Sequence, residues 1–386
     1  MLAATATSLT AWCAPVPAAQ WEVRPSIDVG AISDDNIQLT TSPRETTSGY
    51  VGALRVDGRR TTETSKATFN GYVTHTTYTT GDIPDKTEQG LTLNAEHATS
   101  ERGKIGLDGE YRHDALFETT IVRRGTGDVR DVDVALTSNV QARRNYWVLA
   151  PSWNWLLTER SGLRFGYRFT DASFSNDVGT DLVDYTENLL SATYTHQLNP
   201  RDDLNLTANA VRYRPATGAN DADTVQLLVG VSRAFSETLR GQVAFGGTRT
   251  TTQTASGEDT GSGVAANASI RQNAETSTFE GIISRDITPS GVGQAVRTDQ
   301  FRIWWSRRLS ESVEFVFETQ LIRTHGLEGG TTGVNRRYFD VAPELRWQWL
   351  EDLYLVGSVR HRRQKFETDV DTATSNAVFL GLSYRL

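Results

Sequence analysis

From Tyr146 to Phe169 the chain reads YWVLAPSWNWLLTERSGLRFGYRF, two runs that alternate with period two and meet at a short polar turn. Trp147, Leu149, Pro151, Trp153 and Trp155 share one parity of the first run, with Tyr146, Ser152 and Asn154 on the other. In the second run Leu163, Phe165, Tyr167 and Phe169 oppose Arg164, Gly166, Arg168 and Thr170, and Thr158–Gly162 supplies the turn. Successive side chains of a strand point to opposite faces, so this pattern specifies a β-hairpin with one aromatic, apolar face and one charged face.

The same object recurs along the chain. Ile27–Ile32 alternates up to Asp34-Asp35-Asn36, and Tyr50, Gly52, Leu54 and Val56 return opposite Arg55 and Asp57. Ile105, Leu107 and Tyr111 oppose Asp108, Glu110 and Arg112. Further on, Val225–Val231, Leu239–Phe245, Phe301–Trp305, Val313–Phe317, Val341–Trp349 and Val378–Leu386 repeat the alternation. Connections alternate too, short turns such as TSERG, LTERSG, NPRDD and LSES against longer loops rich in Asp, Gly, Thr and Asn. From position 159 the short turns return about every 40 residues, the length of two strands of about ten residues with their connections. The pair 264–270 and 278–285, rich in Ala and Ser, is the weakest. Residues 114–142 form the longest connection, and Asp131–Leu136 within it reads as an extra strand extension. Pro151 and Pro343, in the similar phrases APSWNW and APELRW, are expected to mark bulges, because proline cannot donate to a ladder.

With 38% hydrophobic and 22% charged residues, no stretch approaches the roughly 18–20 apolar residues of a spanning helix. A transmembrane β-barrel shows lipid only every second residue and carries no such requirement. A soluble sandwich would also alternate but would rarely sustain this many hairpins in one domain, and a propeller would repeat in blocks of four strands. The expected fold is therefore an all-β, antiparallel up-and-down transmembrane barrel of about eighteen strands. It has short periplasmic turns, long extracellular loops and both termini on the periplasmic side. Residues 1–19, uncharged and ending in small side chains, read as an export signal cleaved after Ala18 or Ala19, although the basic residue that usually opens such a signal is missing. Residues 20–386 then form a single barrel domain without Cys or Met, which removes disulfides and thiolate metal sites. The net charge of -8 and the lack of a basic, aromatic-interleaved patch argue against nucleic acid.

Assigning the apolar parity to lipid places Trp147, Trp155, Trp347, Trp349 and Tyr384 near strand ends, where aromatic girdles belong. The other parity collects the pore-lining candidates: Arg55, Asp57, Asp108, Glu110, Arg112, Arg164, Arg168, Glu280, Arg302, Glu314, Glu318, Asp340, Glu344, Arg346 and Arg360. An interior of this width is expected to hold water. These charges either pair across strands and stiffen the wall or line a constriction that selects solutes by charge. The loop aspartates Asp171, Asp177, Asp181, Asp184, Asp221 and Asp223 lack the glycine-pinned spacing of a calcium loop and read as solvated. No cofactor or metal is implied. The histidines His75, His97, His113, His196, His325 and His361 form no metal-spaced pair, and no GxSxG elbow is present, so no enzyme is indicated.

The chain resembles the outer-membrane β-barrel porins found with bacterial exopolysaccharide gene clusters. The resemblance is carried by Gly30 with Asp34-Asp35-Asn36, Ala150-Pro151-Ser152 with Thr158-Glu159-Arg160, Leu198-Asn199-Pro200-Arg201, and Ser284-Arg285-Asp286 with Pro289-Ser290-Gly291 and Gly293. It implies an outer-membrane barrel with a part in polysaccharide export, and it supplies no catalytic residues. The readings that follow are a channel for hydrophilic solutes or an exported polysaccharide, a plugged structural or surface-interaction barrel, and an outer-membrane hydrolase. The partners implied are outer-membrane lipid and lipopolysaccharide, exopolysaccharide export components, and the barrel-insertion machinery acting on the C-terminal strand. That strand ends on Leu386 rather than on the usual aromatic.

Overall fold

The computed structural model describes residues 20–79, 83–115, 142–175, 181–254, 257–327 and 335–386. The expected leader and the strand extension at Asp131–Leu136 lie outside these residues. The described chain forms eighteen strands. The first nine are β1 (Gln20–Asp34), β2 (Thr47–Thr61), β3 (Ser65–Tyr78), β4 (Lys86–Ala98), β5 (Gly103–Ala115), β6 (Arg143–Leu156), β7 (Ser161–Ser175), β8 (Tyr185–Asn199) and β9 (Asp202–Pro215). The rest are β10 (Asp221–Ala234), β11 (Leu239–Thr254), β12 (Gly257–Asn273), β13 (Ser277–Pro289), β14 (Ala295–Arg308), β15 (Val313–Gly326), β16 (Arg336–Leu350), β17 (Leu353–Phe366) and β18 (Ala373–Arg385).

Each strand pairs antiparallel with its sequence neighbours, and β1 pairs with β18 from Ser26↔Arg385 to Asp34↔Ala377, so the sheet closes on itself. Closure leaves no edge strand and satisfies backbone polar groups between strands, as a hydrocarbon surrounding demands. The turns from even to odd strands are short; residues 200–201 and 351–352 suffice for two of them. The connections from odd to even strands are mostly longer, so their rim is the external one and the strand ends at Gln20 and Arg385 lie on the periplasmic side.

The outward parity is an apolar belt. Val225 and Phe245 stand 63% and 65% exposed, and Leu54, Val73, Leu91, Leu149, Leu190, Leu321, Leu345 and Leu380 share their face. Burying that much exposed apolar surface requires lipid. On β16 the belt runs from Trp349 to Phe339, and ten residue steps of about 3.3 Å at a tilt of about 40° span about 25 Å, the height of an outer-membrane barrel's apolar band. Eighteen antiparallel strands, a closed wall, short turns at one rim and this belt together make the architecture of a bacterial outer-membrane protein. Trp21, Trp153, Trp155, Trp347, Trp349 and Tyr384 gather toward the periplasmic rim, whereas Trp147 sits in the external third of β6.

Two local expectations change. Pro151 and Pro343 sit in continuous register, with Leu107↔Pro151 and Phe317↔Pro343 paired normally. Beyond each proline the ladder to the next strand resumes unshifted, from Leu149↔Phe169 to Ser152↔Gly166 and from Val341↔His361 to Glu344↔Ser358. The missing N–H opens a gap in bonding without adding a residue, so neither proline makes a bulge. The register shifts lie elsewhere, at Gln197/Asn199 and Gln348/Leu350 near the periplasmic rim. The weak pair at β12 and β13 is a short seam. Their pairing runs only from Ala266↔Arg285 to Asn273↔Thr278, while β12 continues along β11 up to Thr254↔Gly257.

Leu227→Arg places a cation in mid-belt and is expected to cost about 2–4 kcal/mol, read from denaturant unfolding in lipid vesicles. Asn94→Arg, on the inward parity opposite Asp108, is expected to cost under about 1 kcal/mol in the same assay.

Candidate functional site: the external mouth

The inward face changes character along its length. Toward the periplasmic rim inward side chains such as Arg55, Asp57 and Arg164 are exposed, so the interior is open there. Toward the external rim they are enclosed, with Arg144, Thr324 and Ser375 at 0% exposure and Lys86, Arg336 and Arg362 buried. Two inward-folded segments account for the narrowing.

The first follows β1. Asp34 accepts from the backbone N–H of Asn36 at 2.8 Å and from Arg362 of β17 at 2.6 Å, and Ser375 of β18 donates to it at 2.8 Å. Asn36 donates to the carbonyls of Thr40 and Thr374. The chain is thereby tied against the inside of the closing seam. Ile37 packs with Ile83 and Ala115, and Leu39 packs with Val296, Ile322, Tyr338 and Ala373 on the inner wall of β14–β18.

The second is the tip of the β13–β14 hairpin. The short seam with β12 leaves this tip free to lean inward. Ile287 and Ala295 join Tyr146, Tyr185, Tyr213 and Ala222 of the wall from β6 to β10. In the turn Ser290–Gln294, Gly291 accepts from the backbone N–H of Val183 at 2.9 Å, and Ser290 accepts from the hydroxyl of Tyr213 at 3.4 Å. Gln226 of β10 donates to Asp286 of β13 at 3.1 Å. Gly293 has φ 73°, and a Cβ there would lie 3.3 Å from Val183. A left-handed backbone pressed against a neighbour is a place that suits glycine. Val292, from the same turn, packs against the cluster around Leu39. The turn therefore touches both walls and forms a bridge across the mouth, from β13–β14 to the segment preceding β8.

All fifteen charged candidates lie on the parity opposite the belt, and most of them meet a partner. Arg55 donates to Asp28 at 2.7 Å and Asn70 to Asp57 at 2.6 Å. Arg112 lies 2.8 Å from Glu110 with its guanidinium over Tyr146. Arg302 stands 3.8 Å from Glu280, and Arg346 pairs with both Glu344 and Glu314. Arg360 makes a two-pronged contact with Asp340. Arg168 is buried in the wall, Arg164 faces the open interior, and Asp108 and Glu318 lie in the same charged sectors. The periodicity of strand cores did not single out Asp34, Lys86, Asp114, Arg144, Arg336 and Arg362, which sit at strand ends where alternation gives way to loops. Among them Arg144 grips Asp114 with bonds of 3.0 and 2.6 Å, and Lys86 lies 3.2 Å from Glu88. Asp34 and Asp35 were visible as a motif without a role.

Charge is not spread evenly. The inward faces of β4–β6 and of β13–β17 with β1 and β2 carry interleaved ion pairs. The face from β8 to β10 carries amides and hydroxyls instead, as in Thr193 with Thr207 at 3.0 Å, Asn205 with Ser232 at 2.9 Å and Asn209 with Gln226 at 2.7 Å. Thr224 and Thr250 continue this lining to β11. Asp221 and Asp223, expected to be solvated, instead pair with Arg214 and Arg212. Asp184 accepts from the backbone of Phe174, and Asp177 lies outside the described residues. Among the described residues no three His, Cys, Asp or Glu side chains gather at metal-binding distance.

All six histidines occupy the outward parity toward the rims. His97 meets Ser65 at 2.7 Å and His196 meets Ser161 at 2.9 Å, both pairs near the periplasmic rim and outside the lumen. His75, His113 and His361 hold Thr87, Asn145 and Asn376.

No family model matches the chain, and no curated protein matches it. Solved porins are similar over nearly its whole length. OccK2 of Pseudomonas aeruginosa, in a complex with glucuronate, is 10% identical over 95% of this chain and 98% of its own, with a TM-score of 0.48. OccAB4 of Acinetobacter baumannii is 8% identical over 95% and 98%, at 0.45. An anion-selective porin from Comamonas acidovorans is 11% identical over 96% and 100%, at 0.40. Likeness at this level carries no inference about what this chain does.

Arg362→Met strips the partner from a carboxylate buried at 4% side-chain exposure and is expected to cost about 3–5 kcal/mol. The loss is read from denaturant unfolding, with faster external proteolysis after Asn36 reporting the loosened loop.

Proposed function

We propose that this barrel is an outer-membrane channel for small hydrophilic solutes, open toward the periplasm and constricted at the external mouth. The observation that carries the reading is the bridge from Ser290–Gln294 to Val183 and Tyr213, set across a charged and hydrogen-bonding interior. A wall of paired charges and neutral amides offers water and polar solutes replaceable hydrogen bonds without a net field of one sign. A duct for an anionic polymer would want a positive constriction, and a strongly charge-selective pore would want separated acidic and basic walls. The interleaved pairs Asp34–Arg362, Asp114–Arg144 and Asp340–Arg360 supply neither. An assignment to polysaccharide export therefore rests on the sequence resemblance alone.

Enclosure of the external half favours one second reading, a barrel held shut by its bridge until a partner or solute displaces it. Conductance across planar bilayers separates the two. The channel reading expects discrete openings with little cation or anion preference and no block by anionic oligosaccharide. Replacing Ser290–Gln294 by two glycines is expected to raise unit conductance at least about twofold. Silence of the correctly inserted wild-type protein, with conductance appearing only in the shortened variant, would establish the closed barrel instead. The hydrolase reading has little to stand on, because the Ser–His contacts face outward and no carboxylate orients either histidine among the described residues.

A further inference from the structure

The outward face just above the apolar belt is chemically lopsided. On β13, β15 and β16 the first outward side chain beyond the apolar run is an arginine: Arg285 after Ile283, Arg323 after Leu321, and Arg337 after Phe339. On β17 it is His361, followed by Arg363 and Lys365. Cross-strand register makes these one surface, since Arg285 stands opposite Asp299, Asp299 opposite Arg323, Arg323 opposite Arg337, and Arg337 opposite Lys365. Arg363 stands opposite Phe339, beside that row. Like charges placed directly opposite on neighbouring strands destabilise a sheet unless something neutralises them.

Within the protein little does so. Asp299 is the one acidic member of the row, and Arg285 already holds it with two hydrogen bonds. Glu367, in the adjoining connection, is bound by Asn335. Lys365 donates to the carbonyl of Val370. Arg323, Arg337 and Arg363 are exposed and show no hydrogen bond or ion pair to a described residue.

The corresponding outward positions elsewhere are different. Around β1–β8 they are Ser33, Ser48, His75, Gln89, His113, Asn145, Asp171 and Asn188. On β9 the arginines Arg212 and Arg214 are neutralised by Asp221 and Asp223 of β10, and on β11 Arg249 is a single exposed arginine whose cross-strand neighbours, Val225 and Ser262, are uncharged. A general solubility effect would not gather several basic side chains without acidic partners in one sector.

Depth identifies the counter-ion. Arg337 follows a belt of about 25 Å, so its guanidinium stands at the boundary between hydrocarbon and headgroup on the external side. There the available anions are the phosphates of the outer-leaflet lipid, and guanidinium groups bind phosphate with paired, charge-assisted hydrogen bonds. We infer that Arg323, Arg337 and Arg363, flanked by Arg285 and Lys365, form a docking site for a phosphorylated glycolipid of the outer leaflet. The acyl chains lie on Ile283, Phe301, Leu321 and Phe339, and the sugar phosphates lie on the arginines.

The test measures affinity of the refolded full chain in detergent for diphosphoryl lipid A and for the same lipid dephosphorylated. Wild type is expected to prefer the phosphorylated lipid by roughly a hundredfold, about fivefold for each arginine. R323Q/R337Q/R363Q is expected to lose that preference and keep its heat-modifiable electrophoretic mobility and its conductance; R323K/R337K/R363K is expected to retain most of it. A folded glutamine variant that binds as tightly as wild type would overturn the proposal. So would a wild type that does not distinguish the two lipids, a comparison that needs no variant to fold. Capture of a soluble anionic polysaccharide by these arginines in place of lipid would overturn it as well. Because binding and conductance are read separately, failure here leaves the channel reading standing.

Discussion

Hydrocarbon offers no hydrogen bonds, and everything else in this molecule follows from that. A backbone that crosses it must satisfy every N–H and C=O internally, which a sheet can do only by closing. The pairing of β1 with β18 is that closure. Once the wall is a cylinder, the two-residue period of each strand becomes a division between lipid and lumen. A one-residue slip anywhere would exchange Leu54 for Arg55 or Val359 for Arg360 at the lipid face. Register is therefore enforced by solvation along the whole circumference, and it runs straight through Pro151 and Pro343.

The interior obeys a different balance. A cylinder of eighteen strands is too wide for wall side chains alone to fill. The external mouth is narrowed instead by backbone folded inward. The β12–β13 seam is paired over only part of its length, which releases the β13–β14 tip to lie against the opposite wall. The segment after β1 is held by Asp34 to Arg362 and Ser375, so the strands that close the barrel also anchor its mouth. Buried ion pairs of this kind contribute little net stability, but removing one partner is costly, and they hold a loop in one place.

Outside the lumen the same alternation produces the rim chemistry. The histidines, rim tryptophans such as Trp155 and Trp349, and the arginines beyond Leu321 and Phe339 stand on the outward face where the belt ends. Amphipathic and charged side chains at that depth meet headgroups, which accommodate polar atoms that the belt excludes. Polar residues on the outward parity thus speak to the membrane, and those on the inward parity to the barrel interior.

The class of fold, the strand number, the distribution of short and long connections and the parity of the charged side chains in the strand cores were legible in the sequence. All of these depend on local periodicity and on the two surroundings a strand must face. Even the weak pair at β12 and β13 was visible as a run of small residues. Periodicity could not say that Arg144 would reach Asp114, that Arg362 would reach Asp34 across 328 positions of sequence, or that Ser290–Gln294 would cross the mouth to Val183. It could not show either that Arg285, Arg323, Arg337 and Lys365 stand side by side. Those contacts join residues from separate hairpins, and they exist only because closing the barrel sets the register of each strand against the next. The sequence alone determined which way each strand faces; the closed tertiary structure decided which strands' ends meet, and hence where the mouth narrows and where the outer face is positive.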